Sequence, residues 1–284
     1  MKEIKDNEKK KEILLTSPNK KIIGNITKKV IFNYYKKVAP YMMPYLENRI
    51  ISVVKAPSGI NNKIFFKKHL ENQKRYLEKI NISSKNDKEK DYYYILDEIG
   101  LLSEVQMNSY EFHIWGSNAS NKNKPNMMVF DLDPDKSLSL DKLRLGVKYL
   151  KEILDNLNLK SFLKTSGGKG YHICIPFKNN LTWKKFYKIS EDIANIIEKT
   201  HSELFTTNNR KEKRKNKIFI DYLRNQKSAT FVAPYSVRLR KNAPVSMPIA
   251  WYELDKIKPN EITIYKAIKR LKKKDPWKDF FTSN

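Results

Sequence analysis

Two kinds of hydrophobic spacing alternate along this chain. Val30, Ile31, Tyr34, Tyr35 and Val38 fall on one helical face, and Thr27 stands where a cap would start it. Pro40 predicts a stop, with a second short helix over 41–48. Apolar runs over 50–54 and 63–67 predict strands either side of the Pro57-Ser58-Gly59 turn. Residues 81–91 lack apolar periodicity and read as an exposed loop, with a strand resuming over 92–96. Asp97 caps a predicted helix to Met107, and 111–115 is a further strand. After a polar loop over 117–125, the continuous run 127–130 suits a central strand ending at Asp131-Leu132-Asp133-Pro134.

The second half repeats the alternation. Leu140, Leu143, Val147, Leu150 and Leu154 mark a helix over 139–157. Strands over 161–164 and 171–175 flank Ser166-Gly167-Gly168-Lys169-Gly170. Thr182 starts a helix to about 199. A basic connector over 208–217 leads to a strand over 217–220 that ends at Asp221. A strand over 229–232, a proline-rich stretch over 233–248 and an amphipathic helix over 261–273 complete the pattern. Intermixed helices and strands predict an α+β fold with a mixed sheet. Residues 1–13 read as a flexible basic tail, and 14–284 as one domain.

Composition narrows the function. The 284 residues include 57 Lys plus Arg against 31 Asp plus Glu, a formal charge of +26. That excess points to a polyanionic partner, nucleic acid or an anionic surface. No apolar run approaches the roughly 18–20 residues of a membrane span, so no membrane association is expected. The charged N-terminus is no signal peptide. A single cysteine, Cys174, excludes a disulfide framework and a Cys-based zinc site. A reducing, cytoplasmic and nucleoid-associated setting is the corresponding expectation. Only 9 of the basic residues are Arg, so each Arg is the more informative.

Five groups carry candidate chemistry. Asp131 and Asp133, two apart on a strand, share a face; Asp221 closes a second apolar strand. Oxygen ligands of this kind suit two Mg²⁺ or Mn²⁺ ions and phosphoryl transfer, whereas solvated turn acids are the plain alternative. The Ser166–Gly170 segment is no P-loop, but its glycines can turn backbone N–H groups toward an anion beside Lys169 and His172; a tight hairpin is the alternative. His113 lies in an apolar strand. Arg224, Arg238 and Arg240 lie within 17 positions of one another and suit triphosphate oxygens. Phe65-Phe66 exposes at least one ring for base stacking, unless the strand is buried on both sides.

In this order the pieces resemble the polymerase domain of the bacterial and archaeal DNA ligase D family, within the archaeo-eukaryotic primase superfamily. The resemblance runs from about Leu15 to Leu254. It is carried by TSPNK, ITK, FFKKH, QMNSYEFHIWGS, VFDLDPDKS, FLKTSGGKGYHICIP, IFIDYLRNQKSATFVAPYSVRLRKNAPVSMP and WYEL. It implies a primase-type fold, with an RRM-like catalytic sheet packed on an N-terminal α/β module. It implies that Asp131, Asp133 and Asp221 are catalytic and bind two ions, Mn²⁺ or Mg²⁺. Ser166, Lys169, His172, Arg224, Arg238 and Arg240 then surround the incoming NTP or dNTP, with His113 beside its sugar and ribonucleotides favoured. Phe65 and Phe66 pack on the template. Lys20 and Lys28, with Lys55, serve DNA ends and the 5′-phosphate of a gapped duplex. Where some members have two consecutive basic residues, this chain has Val54-Lys55.

The resemblance further implies gap filling in end joining of double-strand breaks, with Ku and a separate ATP-dependent DNA ligase as partners. No KxDG motif appears, so a stand-alone polymerase is expected. A primase, and a non-catalytic DNA-end-binding protein, are the competing readings. A nuclease has no use for a triphosphate site.

Overall fold

In the computed structural model, residues 12–283 are described, apart from 71–74, 85–86 and 179. A small hairpin of β1 (Lys21–Ile23) and β2 (Ile26–Thr27) leads into α1 (Lys28–Leu46). Thr27 caps α1, its hydroxyl accepting from Val30 N at 3.4 Å. The helix runs on through Pro40 and Pro44, against the expected stop and separate 41–48 helix. Each interior proline costs about 3 kcal/mol. Both lie on the exposed face, where water can take the carbonyls they orphan. The other face buries Tyr34, Tyr35, Val38, Met42, Tyr45 and Leu46. At roughly 1.5–3 kcal/mol for each large side chain, burial outweighs the two prolines.

The first sheet comprises β3 (Arg49–Lys55), β4 (Phe65–Lys67), β5 (Glu78–Ser84), β6 (Asp87–Tyr94) and, after α2 (Glu98–Gln106), β7 (Ser109–Asn118). The predicted loop over 81–91 is instead largely the β5–β6 hairpin, with residues 85–86 outside the described set. Its polar sequence hid it, because antiparallel pairing needs main-chain partners rather than apolar alternation. Ile80 stands opposite Tyr92 and Asn81 opposite Asp91, and Lys79 reaches Asp91 at 2.7 Å. β7 is also longer than expected and takes the first residues of the predicted 117–125 loop.

The second sheet is built from β8 (Met127–Pro134), α3 (Leu140–Asn156), β9 (Phe162–Thr165), β10 (Tyr171–Pro176), α4 (Trp183–Thr200), β11 (Phe205–Thr206) and β12 (Ile218–Asp221). The chain then returns to the first sheet as β13 (Phe231–Val232), which pairs with β7. It adds β14 (Pro248–Ile249) to the second sheet and ends with α5 (Ile264–Arg270) and a 3₁₀ turn. Strand orders are β13-β7-β3-β6-β5, with β4 on β3, and β11-β12-β8-β10-β9-β14. The architecture is mixed α+β. Among the described residues, no helix is long and apolar enough to cross a membrane.

Helices α3 and α4 pack on one side of the second sheet. β8 runs on from the apolar 127–130 through Asp131–Pro134, the segment in which it was expected to end, with Pro134 opposite Ile218. Alternation explains why: Leu132 joins the core while Asp131 and Asp133 turn to the other face. One continuous apolar core joins both sheets and α1, and Trp277 and Phe280 add to it from the C-terminal segment.

Gly170 marks the tightest approach. A Cβ there would lie 1.9 Å from the Leu132 carbonyl oxygen on β8. Gly170→Ala is therefore expected to cost about 3 kcal/mol, the upper range for overpacking. Urea unfolding measures this, and an unchanged midpoint would contradict the close approach.

Candidate active site

One row of side chains crosses the second sheet. Antiparallel register sets Asp221 opposite Asp131, Asp131 opposite His172, and His172 opposite Lys164. Opposed residues on neighbouring strands share a face. Two carboxylates, an imidazole and an ammonium therefore stand in line, with Asp133 on the same face two residues along β8. Asp131, Asp133, Ser166, Lys169 and His172 line a cleft of about 250 Å³ together with Arg224, Arg238, Arg240 and His113. Asp221 sits behind it, buried, accepting from Leu223 N at 3.2 Å and paired with Arg224 Nε at 2.9 Å.

The acids do not share one environment. Burial pushes Asp133 up, and the charges of Asp131 and Asp221 push it further, to about 7. Asp221 is also raised, by burial first, with Arg224 opposing. Burial would raise Asp131 too, but His172, Arg224 and Lys164 outweigh it and hold the group low. His172 Nε2 lies 3.1 Å from Asp131 Oδ1 but off the axis of a hydrogen bond, so this buried oxygen has no hydrogen-bond partner. Burial presses His172 down to about 4 and Lys164 down to about 8. Arg224 and Lys164 answer only part of the charge of three carboxylates on one face, and one Asp131 oxygen is left without a hydrogen bond. Among the described residues, no three acids, histidines or cysteines already converge on a metal-sized space.

The Ser166–Gly170 loop differs from the expected backbone cradle. Ser166 Oγ accepts from Gly168 N at 3.0 Å and Gly170 N at 3.2 Å, while Gly167 N donates to Pro259 O at 3.0 Å. These amides are spent within the fold. Gly167 adopts φ +65°, and a Cβ there would meet Arg238 Cγ at 2.6 Å. The glycines thus serve tight packing, and the charge offered to the cleft comes from side chains. Lys169 and Arg240 are exposed, and their side chains have no hydrogen-bond or ion-pair partner among the described residues.

Arg238 is anchored instead. Its Nε donates to Glu111 Oε2 at 3.1 Å and its Nη1 to Ser166 O at 2.6 Å. Glu111 also meets His113 Nε2 at 3.1 Å and accepts from Leu239 N at 2.6 Å. Burial opposes its charge, but His113 and Arg238 hold the Glu111 carboxyl down at about 2. His113 is lowered by burial, against the pull of Glu111. Glu111 and Lys164 were missed in the sequence. The signal was there: each is a charged residue inside an apolar strand.

The residues expected at DNA are spread differently. Phe65 and Phe66 are 42% and 50% exposed, so both rings leave the core. Phe66 lies edge-on to His113 at 5.7 Å, which joins the aromatic pair to the cleft. Lys55 stands opposite Phe65 on β3. Lys20 is exposed. Lys28 is buried, its Nζ donating to Gln106 O at 2.6 Å, the last residue of α2. Burial, then the charge of Lys20, lowers Lys28. Only Lys20 of that pair is therefore a surface charge.

This mixed α+β fold, with acids at paired strands facing a basic cleft, is that of a polymerase domain. A solved chain described as the polymerase domain from Mycobacterium tuberculosis ligase D in complex with DNA superposes with a TM-score of 0.87, at 24% identity, covering 95% of this chain and 98% of that one. The family described as LigD, primase-polymerase domain, matches residues 27–277, and the chain belongs to it. Relatives include the multifunctional non-homologous end joining protein LigD of Pseudomonas aeruginosa, 33% identical over 87% of this chain, and the bifunctional LigD of Bacillus subtilis, 30% identical over 90%. The chain spans 30% and 41% of those proteins.

The raised Asp133 gives a signed pH dependence. Between its ordinary 3.8 and about 7, the folded protein holds a proton that the unfolded chain has released. Stability from this group is full below about pH 4 and lost as pH rises through 7, at up to about 1.4 kcal/mol per pH unit. In chelator, Asp133→Asn should flatten this part of the profile in urea titrations. A variant with the parent slope would contradict the assignment.

Proposed function

We propose that the protein is a template-directed nucleotidyltransferase that fills gaps and extends DNA ends during non-homologous end joining. The observation that carries this is the acidic row of Asp131, Asp133 and Asp221 beside the cleft that gathers Lys169, Arg224, Arg238 and Arg240. Acids alone would suit a nuclease, but four cations around 250 Å³ suit a polyphosphate. The second sheet serves as the RRM-like catalytic sheet of a primase-type fold. Residues 14–284 act as one domain, a reading supported by the shared core.

The residues fit divalent cations. The partnerless Asp131 Oδ1 and the uncharged tendency of Asp133 are what a cation would correct. Asp131, Asp133 and Asp221 would hold two ions, Mn²⁺ or Mg²⁺. Bound there, the ions would supply acidity for a hydroxyl and charge for phosphate oxygens. The chain's own groups do the rest. In the reaction, the primer 3′-OH bonds to the α-phosphorus of an NTP or dNTP while the bond to pyrophosphate breaks. Lys169 and Arg240 take the outer phosphates, because they are exposed and uncommitted. Arg238, pinned by Glu111 and Ser166 O, holds a fixed position beside them. Arg224 couples the triphosphate to Asp221 through its 2.9 Å pair. His172 and Ser166 offer an N–H and an O–H. His113, set by Glu111 and Phe66, lies where a sugar would meet the template platform of Phe65 and Phe66. A preference for ribonucleotides belongs to this reading.

Lys20 and Lys55 attract a gapped duplex and its 5′-phosphate, and buried Lys28 supports the same corner through α2. The Pseudomonas aeruginosa and Bacillus subtilis relatives are non-homologous end joining proteins. Ku and a separate ATP-dependent DNA ligase are the partners this role would require, with a nucleoid-associated cytoplasmic location.

Primer extension on a gapped duplex tests the reading. Asp131→Ala and Asp221→Ala should each lower extension by more than about 100-fold, beyond the cost of losing a supporting residue. DNA binding should stay near the parent level, since it comes from lysines elsewhere. Extension at near-parent rates in either variant would remove the acids from the chemistry. Lys169→Ala should raise the KM for nucleotide about tenfold, the scale of one charged hydrogen bond. Unchanged KM with weakened DNA binding would move Lys169 to the DNA surface.

A further inference from the structure

The sheet row ends in a lysine with no part in the scheme above. Lys164 is fully buried. Among the described residues it has no carboxylate within ion-pair distance, although buried charges are ordinarily paired. Its Nζ instead lies 2.6 Å from Ser246 Oγ and 3.1 Å from His172 Nδ1.

The proton positions follow from the neighbours. Ser246 Oγ donates its hydrogen to Thr165 O at 3.1 Å, so toward Lys164 it accepts. Lys164 is therefore the donor. On the far side of the imidazole, Nε2 lies 3.1 Å from Asp131 Oδ1. The tautomer is set from the other side: an ammonium has no lone pair, so Nδ1 accepts from Lys164. A neutral imidazole has one N–H, so Nε2 is left to carry the ring proton. A second ring proton on Nδ1 would point at the ammonium. Lysine and serine thus fix one tautomer.

We propose that Lys164 is a positioning residue for His172: its buried ammonium donates to Nδ1 and fixes the ring proton on Nε2, toward Asp131 and the cleft. The Nε2–H is off the axis to Oδ1, and His172 lines the cleft. An arriving anion therefore meets an N–H rather than a lone pair. His172 acts as a fixed donor and not as a proton acceptor. The inference rests on the proposed function only for the identity of that anion as a triphosphate.

The test is the imidazole ¹⁵N spectrum of ring-labelled protein at pH 7.5. The chain has four histidines, and His172 is assigned by the signal missing from His172→Asn. The parent should show His172 as the pure Nε2–H tautomer. Lys164→Met should show mixed tautomers, with kcat for extension down roughly 10–100-fold and the affinity for DNA unchanged. Ser246→Ala keeps the ammonium and should keep the parent tautomer, which covers the case in which Lys164→Met fails to fold. An Nδ1–H tautomer or an imidazolium in the parent would overturn the proposal. So would a pure Nε2–H signal in folded Lys164→Met, or loss of the tautomer in Ser246→Ala. If the parent extends no primer yet shows the expected tautomer, the proposed function fails and the role of Lys164 stands.

Discussion

Carboxylates packed side by side on a sheet face repel, and that repulsion organises everything around them. Asp131 and Asp221 face each other across β8 and β12, with Asp133 one pleat away. The fold answers with charge at graded distance. Arg224 pairs with Asp221, His172 faces Asp131, and Lys164 stands one strand further on. Asp133 receives least, and burial together with its neighbours drives it toward neutrality. This unevenness is what supports the proposed cations, and β8 turns Asp131 and Asp133 into the cleft.

A second acid plays the opposite part. Glu111 comes from the first sheet, yet it collects His113, Arg238 and the Leu239 amide. Arg238 in turn reaches Ser166 O in the loop of the second sheet. One carboxylate thereby ties the two sheets together at the rim of the cleft. It fixes Arg238 and leaves Arg240 and Lys169 free to follow a ligand.

Much of this was legible along the chain because local chemistry states it. Thr27, Asp97, Ser139 and Thr182 each cap the helix that their spacing announced. The three aspartates declared themselves by closing apolar runs. Pro40 misled because local propensity says nothing about how much apolar surface the helix buries beyond it. The β5–β6 hairpin was hidden because its ladder is main-chain and its apolar alternation, at Ile80 and Ile82, is too short to mark a strand. The glycine loop looked like an anion cradle because Ser166 Oγ, which takes its amides, acts through folding. Glu111 and Lys164 gain their roles only from cross-strand register, which a linear pattern does not display.

The central claim is that the acidic row and the cationic cleft form one site for a metal-bound nucleoside triphosphate. Anomalous diffraction from crystals grown with Mn²⁺ and a non-hydrolysable triphosphate tests it most directly. The account predicts manganese density against Asp131, Asp133 and Asp221, with the phosphate chain running to Lys169 and Arg240. Manganese away from these carboxylates, or a triphosphate seated outside the cleft, would contradict it.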